Sequence, residues 1–256
     1  MSNFGASAGW GLAVAASLVV GALAAAGLHL PPQVAATLTA FGGGILLAAV
    51  AIELVPEADA QAGRWVTAGG LLAGTLLYIG ADAWLTRNER LRQLRHSMHA
   101  AMVGQPITAP AAAVGEAARG EAIAAGIFVD GVPESIALGL TVAAGQVGMA
   151  LLAGVLIGNV VEAYGAAQPI IAAGRSRGVA VGLLAGIGLA LAGATVLGGT
   201  VLADASPALI GGAEALAAGA VLAVVSVSII PYAFSEVSSM VAAAAVVGFI
   251  GGYLLS

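Results

Sequence analysis

Two short stretches of this sequence hold side chains that apolar surroundings do not tolerate without a reason. The first, Asp130-Gly131-Val132-Pro133-Glu134-Ser135, sets two carboxylates four residues apart. The second, Gly158-Asn159-Val160-Val161-Glu162, sets an amide and a carboxylate three apart. On a helix either spacing brings both groups to one face. Pro133 lacks a backbone N–H and crowds the carbonyl of Val129, so a kink is expected there, with a freed oxygen beside the two acids. Both stretches lie inside long apolar runs, where an ionisable group costs about 2.5–3.5 kcal/mol on insertion scales. No Arg, Lys or His lies centrally in any such run to form a buried ion pair. Two readings follow: a bound cation neutralises the carboxylates, or the acids hold protons. Proton coupling is compatible with both.

Other polar positions carry weaker signals. Glu53, Glu57 and Asp59 surround Pro56 near the end of the second apolar run. They read either as an anionic vestibule that concentrates cations or as a solvated loop. Glu121 precedes Asp130 by roughly 13 Å along a helix axis, on about the opposite face. It marks the inner end of a pathway, or simply an interface beside Arg119. Asp82 and Trp84 read as interfacial anchors. Ser226 and Ser228 line a path or serve as packing contacts. His96 and His99 have a spacing that can bind metal, but in a polar loop such a pair more often does nothing of the kind.

The elements that must position these groups follow from composition. Of 256 residues, 60% are hydrophobic and 8% charged, and the mean hydropathy is +1.04. A soluble domain carries roughly 25% charged residues, so the chain is read as an integral membrane protein. All eight basic residues are Arg against thirteen acids, a net charge of -5, which offers no basic patch for nucleic acid. With no cysteine, disulfides and thiolate metal sites are excluded. The 38 glycines suit helices packed closely in lipid.

A span needs about 20 apolar residues. Eight candidates meet this: Ala8–Leu28, Gln33–Val55, Trp65–Leu85, Arg119–Ala143, Val147–Ala173, Ala180–Leu202, Gly212–Phe234 and Val237–Leu255. A polar connection covers residues 86–115. The turns between the others are His29-Leu30-Pro31-Pro32, Pro56 to Gly63, Gly145-Gln146, Gly174 to Gly178, Asp204 to Pro207, and Ser235-Glu236. The first run has no Lys or Arg ahead of it, unlike a secretory signal peptide. Arg87, Arg90, Arg92, Arg95 and Arg119 flank the third connection, and Arg175 and Arg177 sit in the fifth. The positive-inside rule makes that side cytoplasmic and places both termini outside. A repeat relates Ala40–Val50 to Ala215–Val225 and places Pro56 on Pro231. It pairs the second run with the seventh, which then cross in opposite directions, as in inverted-repeat secondary transporters. Shared apolar composition is the alternative explanation.

No HExxH, Gly-x-Ser-x-Gly elbow or Walker sequence occurs, so neither an enzyme nor an ATP-driven pump is expected.

Together these features resemble the ZIP (Zrt/Irt-like) metal transporters. Asp130-Gly131-Val132-Pro133-Glu134-Ser135 is similar to that family's fourth-helix His-Asn-x-Pro-Glu-Gly. Gly158, Asn159 and Glu162 have the spacing of its fifth-helix ligands, and Leu54-Val55-Pro56-Glu57-Ala58 is similar to its Leu-Pro-Glu-Ala. The resemblance implies a bundle of eight transmembrane helices grouped three, two and three. It also implies a cation held by Asp130, Glu134, Asn159 and Glu162 and carried into the cytoplasm. The chain departs from the pattern where Asp130 replaces His, Gly131 replaces Asn, Gly158 supplies no ligand and Val161 replaces Pro. At most one well-formed metal site is therefore expected. Its all-oxygen donor set biases selection from zinc towards a harder ion such as manganese or iron. A non-transporting ZIP-like sensor or scaffold is the alternative, and a different solute in the same fold a third. The expected partners are the divalent cation, as substrate, and the bilayer, with self-association as a homodimer and no separate cofactor.

Overall fold

The small, unbranched residues that dominate the chain allow helices to approach until backbones touch, and the fold is built on that. The computed structural model describes residues 3–28, 30–85, 116–145, 147–172, 174–201, 205–229 and 239–256. Every regular element among them is helical. The helices are α1 (Asn3–Gly27), α2 (Pro32–Ala48), α3 (Val55–Ala62), α4 (Arg64–Leu85), α5 (Glu116–Ala143), α6 (Met149–Ala172), α7 (Arg177–Val201), α8 (Pro207–Val224) and α9 (Ser239–Leu255). A π-helical segment, Ala49–Leu54, joins α2 to α3, and another, Val225–Ile229, follows α8. Among the described residues, seven segments are long and apolar enough to cross a membrane, and α9, at 17 residues, is a shorter apolar helix. The protein is thus an all-helical, multi-pass membrane protein. The arginine-rich connection, His96 and His99, and the Ser235-Glu236 joint lie outside the described residues.

The sequence-derived boundaries need correction where Pro and acidic residues were taken for loops. Residues 56–62 are helix, so the second apolar run continues through Pro56 to Ala62 as one span, Gln33–Ala62. Proline inside an α-helix crowds the carbonyl four residues back. Here the wider π-turn immediately before Pro56 accommodates the ring without breaking the helix. The chain turns only at Gly63, whose φ of 79° suits a residue without Cβ. At the other end of the chain, Pro207 opens α8 at its first turn, where a missing N–H costs nothing. Helix α5 runs unbroken through Pro133.

Burial sorts the helices. Two-thirds (67%) of the apolar window of α5 is buried against 17% for α4, so α5 belongs to the centre and α4 to the periphery. The spans of α2, α6 and α8 are buried nearly as deeply as that of α5, whereas α7 turns Leu189, Leu197 and Val201 outward. Trp65 and Trp84 stand exposed at opposite ends of α4, as expected of residues anchoring at two water–lipid boundaries.

The glycine contacts recur in pairs. Gly11 of α1 packs on Ala192 of α7, and Gly188 of α7 packs on Ala15 of α1. Gly44 of α2 lies against the backbone of Ala245 in α9, and Gly219 of α8 against the backbone of Leu71 in α4. Gly21 of α1 abuts Val160 of α6, and Gly198 of α7 abuts Ile136 of α5. In the first two pairs of contacts a near-constant residue offset links corresponding positions, and in the third it links the two glycines. Helices α2 and α8 also share a starting Pro (Pro32, Pro207) and a change from α to π near their far ends.

Candidate cation site

The acids that the sequence singled out sit on the two central helices. Asp130 and Glu134 of α5 are both buried, one turn apart. Asn159 of α6 is 1% exposed, and Glu162, on the next turn, is partly buried. Helices α5 and α6 are in direct contact. Neither Gly126–Ala143 nor Met149–Gln168 contains an Arg, Lys or His. Among the described residues, no three acidic, His or Cys side chains stand together as a formed metal cluster. The donors are therefore presented as two pairs, one per helix.

Tyr78 of α4, itself buried, donates its hydroxyl proton to Asp130 Oδ1 at 2.7 Å. A buried phenol needs an acceptor, and this one fixes the rotamer of the first acid in the Asp130–Ser135 motif. Sequence reasoning missed Tyr78. The available signal was a rare tyrosine, one of four, in the middle of an apolar run. Ser135, beside Glu134, is fully buried, and its Oγ finds no hydrogen-bond partner among the described residues; the same holds for Asn159 Nδ2. An unsatisfied buried polar atom costs about 1–3 kcal/mol. Two of them, one on each central helix, mark places where further polar contacts would be gained.

The glycine replacements behave differently. At Gly131 a Cβ would fall 2.6 Å from Cδ1 of Leu191 on α7, so that flank is closed by an apolar side chain. At Gly158 a Cβ would meet nothing within 4 Å. One ligand position of the resembled motif is thus filled by Leu191, and the other is left open.

The remaining positions resolve as follows. Glu53 lies in the first π segment, and its carboxylate accepts the N–H of Ala150 at 3.1 Å and of Leu151 at 3.3 Å. It caps the first turn of α6, where orphan N–H groups and the helix dipole favour an anion. Glu57 and Asp59 are exposed on α3, a helix rather than the solvated loop expected for this stretch. Ser226 is exposed, and Asp82 is partly buried near the end of α4. Glu121 lies on α5, towards its start.

Sequence reasoning also missed Glu214 of α8. It is 0% exposed, and neither carboxylate oxygen has a hydrogen-bond partner among the described residues. The rule that singled out Asp130, an acid inside an apolar run, applied equally to it. Glu214 lines a cavity of about 490 Å³, together with Glu53, Glu57 and Thr141.

The sequence matches no protein-family model, and a search of the curated proteins finds no significant match.

Proposed function

We propose that the protein is a ZIP-like transporter that carries a divalent metal cation across the cytoplasmic membrane into the cytoplasm. The cargo is zinc, or a harder ion such as manganese or iron. The observation that carries this reading is the burial of Asp130, Glu134 and Asn159 on the two central helices, in spans that contain no basic residue. Carboxylates in that setting gain most from a cation. Oxygen donors from Asp130, Glu134, Asn159 and Glu162 would replace part of its water shell, and Tyr78 holds Asp130 ready. The pairs stand on separate helices, so relative movement of α5 and α6 would close them on the ion and open them again. Such rocking of one helix group against another exposes a midplane site to each side in turn.

Eight spans in a three-plus-two-plus-three inverted repeat, with both termini outside, complete the proposal. The recurring contacts support it: α1 with α7, α2 with α9 against α8 with α4, and α1 with α6 against α7 with α5. A rotation that exchanges the first three spans with the last three relates every one of these pairs.

The test is uptake by proteoliposomes offered Zn, Mn, Fe, Co and Mg. Accumulation of one or more ions that Glu134→Gln and Glu162→Gln each abolish supports the reading. Indifference to all five by folded protein removes it. A second reading, a non-transporting ZIP-like sensor or scaffold, is favoured by Leu191 filling the flank of Gly131. It predicts metal binding without accumulation.

A further inference from the structure

The cavity beside Glu214 is separate from the α5–α6 acids, and among the described residues every ionisable side chain on its walls is a carboxylate. Ile52, Glu53, Leu54, Pro56 and Glu57 form one side, Thr141 and Ala144 the end of α5, and Val147 to Met149 the start of α6. Glu214 and the last residues of α9 complete it. Three glutamates line this space, and among the described residues no Arg, Lys or His does. Glu57 is exposed at the mouth, whereas Glu214 is wholly enclosed. Glu53 already serves the N–H groups of α6, and Gln61 donates to one oxygen of Glu57, Oε1, at 2.6 Å. Thr141 spends its proton on Leu138 O at 2.8 Å, so its oxygen can only accept a further contact.

Glu214 is the informative member. Enclosing a carboxyl group without a hydrogen bond is costly, and here both oxygens lack one. A cation in the cavity would remove that cost, and the other polar side chains on the walls offer it only acceptors. Size is also adequate. Six waters at about 30 Å³ each, with an ion, occupy roughly 200 Å³, well within 490 Å³. A hydrated ion needs no three directly ligating acids, in keeping with the spread of these carboxylates. Thr141 lies on α5 about 10 Å along the axis from Glu134, so the cavity stands directly above the α5–α6 acids.

We propose that this cavity is a second cation-binding chamber, which holds a hydrated divalent ion through Glu214 and Glu57. It rests on the transport reading only for its role as antechamber to Glu134. The test is Mn²⁺ titration of the full-length protein in lipid nanodiscs, followed by the paramagnetic resonance of free Mn²⁺. Wild type is compared with Glu134→Gln/Glu162→Gln, and with that pair combined with Glu214→Gln or with Glu57→Gln. Glu57 is exposed, so its variant keeps the test independent of folding. The double variant is expected to retain a Mn²⁺-binding event that Glu214→Gln weakens at least about tenfold, the scale of losing a metal-site contact. Glu57→Gln is expected to weaken the same event to a smaller degree.

Binding that vanishes in the double variant overturns the chamber and leaves the transport reading intact. Retained binding that neither Glu214→Gln nor Glu57→Gln alters also overturns it. If the double variant binds as wild type does and both Glu214→Gln and Glu57→Gln reduce binding, the chamber stands and the α5–α6 reading fails. Absence of binding by wild type overturns both.

Discussion

Replacing Tyr78 with Phe removes the hydroxyl that bonds Asp130. The ring stays, so the packing of α4 on its neighbours is kept, while the 2.7 Å hydrogen bond to Asp130 Oδ1 is lost. Both residues are buried, so water does not readily take the hydroxyl's place. Hydrogen bonds to charged groups contribute about 1.5–3 kcal/mol. If Asp130 is a ligand whose rotamer Tyr78 sets, most of that loss appears in cation binding. At 1.4 kcal/mol per factor of ten, Tyr78→Phe is expected to weaken Mn²⁺ binding at the α5–α6 acids roughly 10- to 100-fold. Isothermal titration in nanodiscs reads the affinity, and uptake by proteoliposomes should show a raised KM with a smaller change in kcat. Thermal unfolding of the same samples reports the fold. Affinity unchanged within a factor of two, together with a lowered Tm, refutes the reasoning and makes Tyr78 a purely structural link between α4 and α5.

Four further outcomes are expected. Gly131→Asn drives a side chain into Leu191 and should destabilise the protein by about 1–3 kcal/mol, whereas Gly158→Asp meets no clash, so it should lower Tm only through its added carboxylate and should tighten Mn²⁺ binding, which restores Tm. Glu53→Ala removes the acceptor for two N–H groups of α6 and should cost about 1–2 kcal/mol, read by thermal unfolding. Tyr164→Phe frees the N–H of Leu30, bonded at 2.7 Å, and should accelerate hydrogen exchange in the turn between α1 and α2 while costing about 0.5–1.5 kcal/mol.

The helices were legible because a span in lipid must be apolar along its whole length, a property of consecutive residues. Their ends were less so. Pro56 and the acids after it have the local chemistry of a turn, and only the π segment before them explains why the helix continues. The pairing of Asp130 with Glu134 followed from helical periodicity alone. The partner of Asp130 did not, because Tyr78 lies 52 residues away on another helix. Glu53 similarly reaches across 97 residues to cap α6, and no local pattern announces that. Leu191 behind Gly131 is a tertiary fact of the same kind. Glu214 differs, since its place in an apolar run was visible, and only its complete enclosure required the fold.

The two π segments bear on how such a bundle could change shape. A π-turn holds one residue more than an α-turn, so rewinding it to α would rotate everything beyond it by about 100° around the helix axis. Downstream of the first segment, that rotation would carry Glu57 away from the cavity mouth while the hydrogen-bonded backbone stayed continuous. Each π segment packs against the α-helical part of the other's helix, the first on α8 and the second on α2. A change of pitch in one would therefore press on the other, like two threaded rods crossing at matched faults, and neither could turn alone.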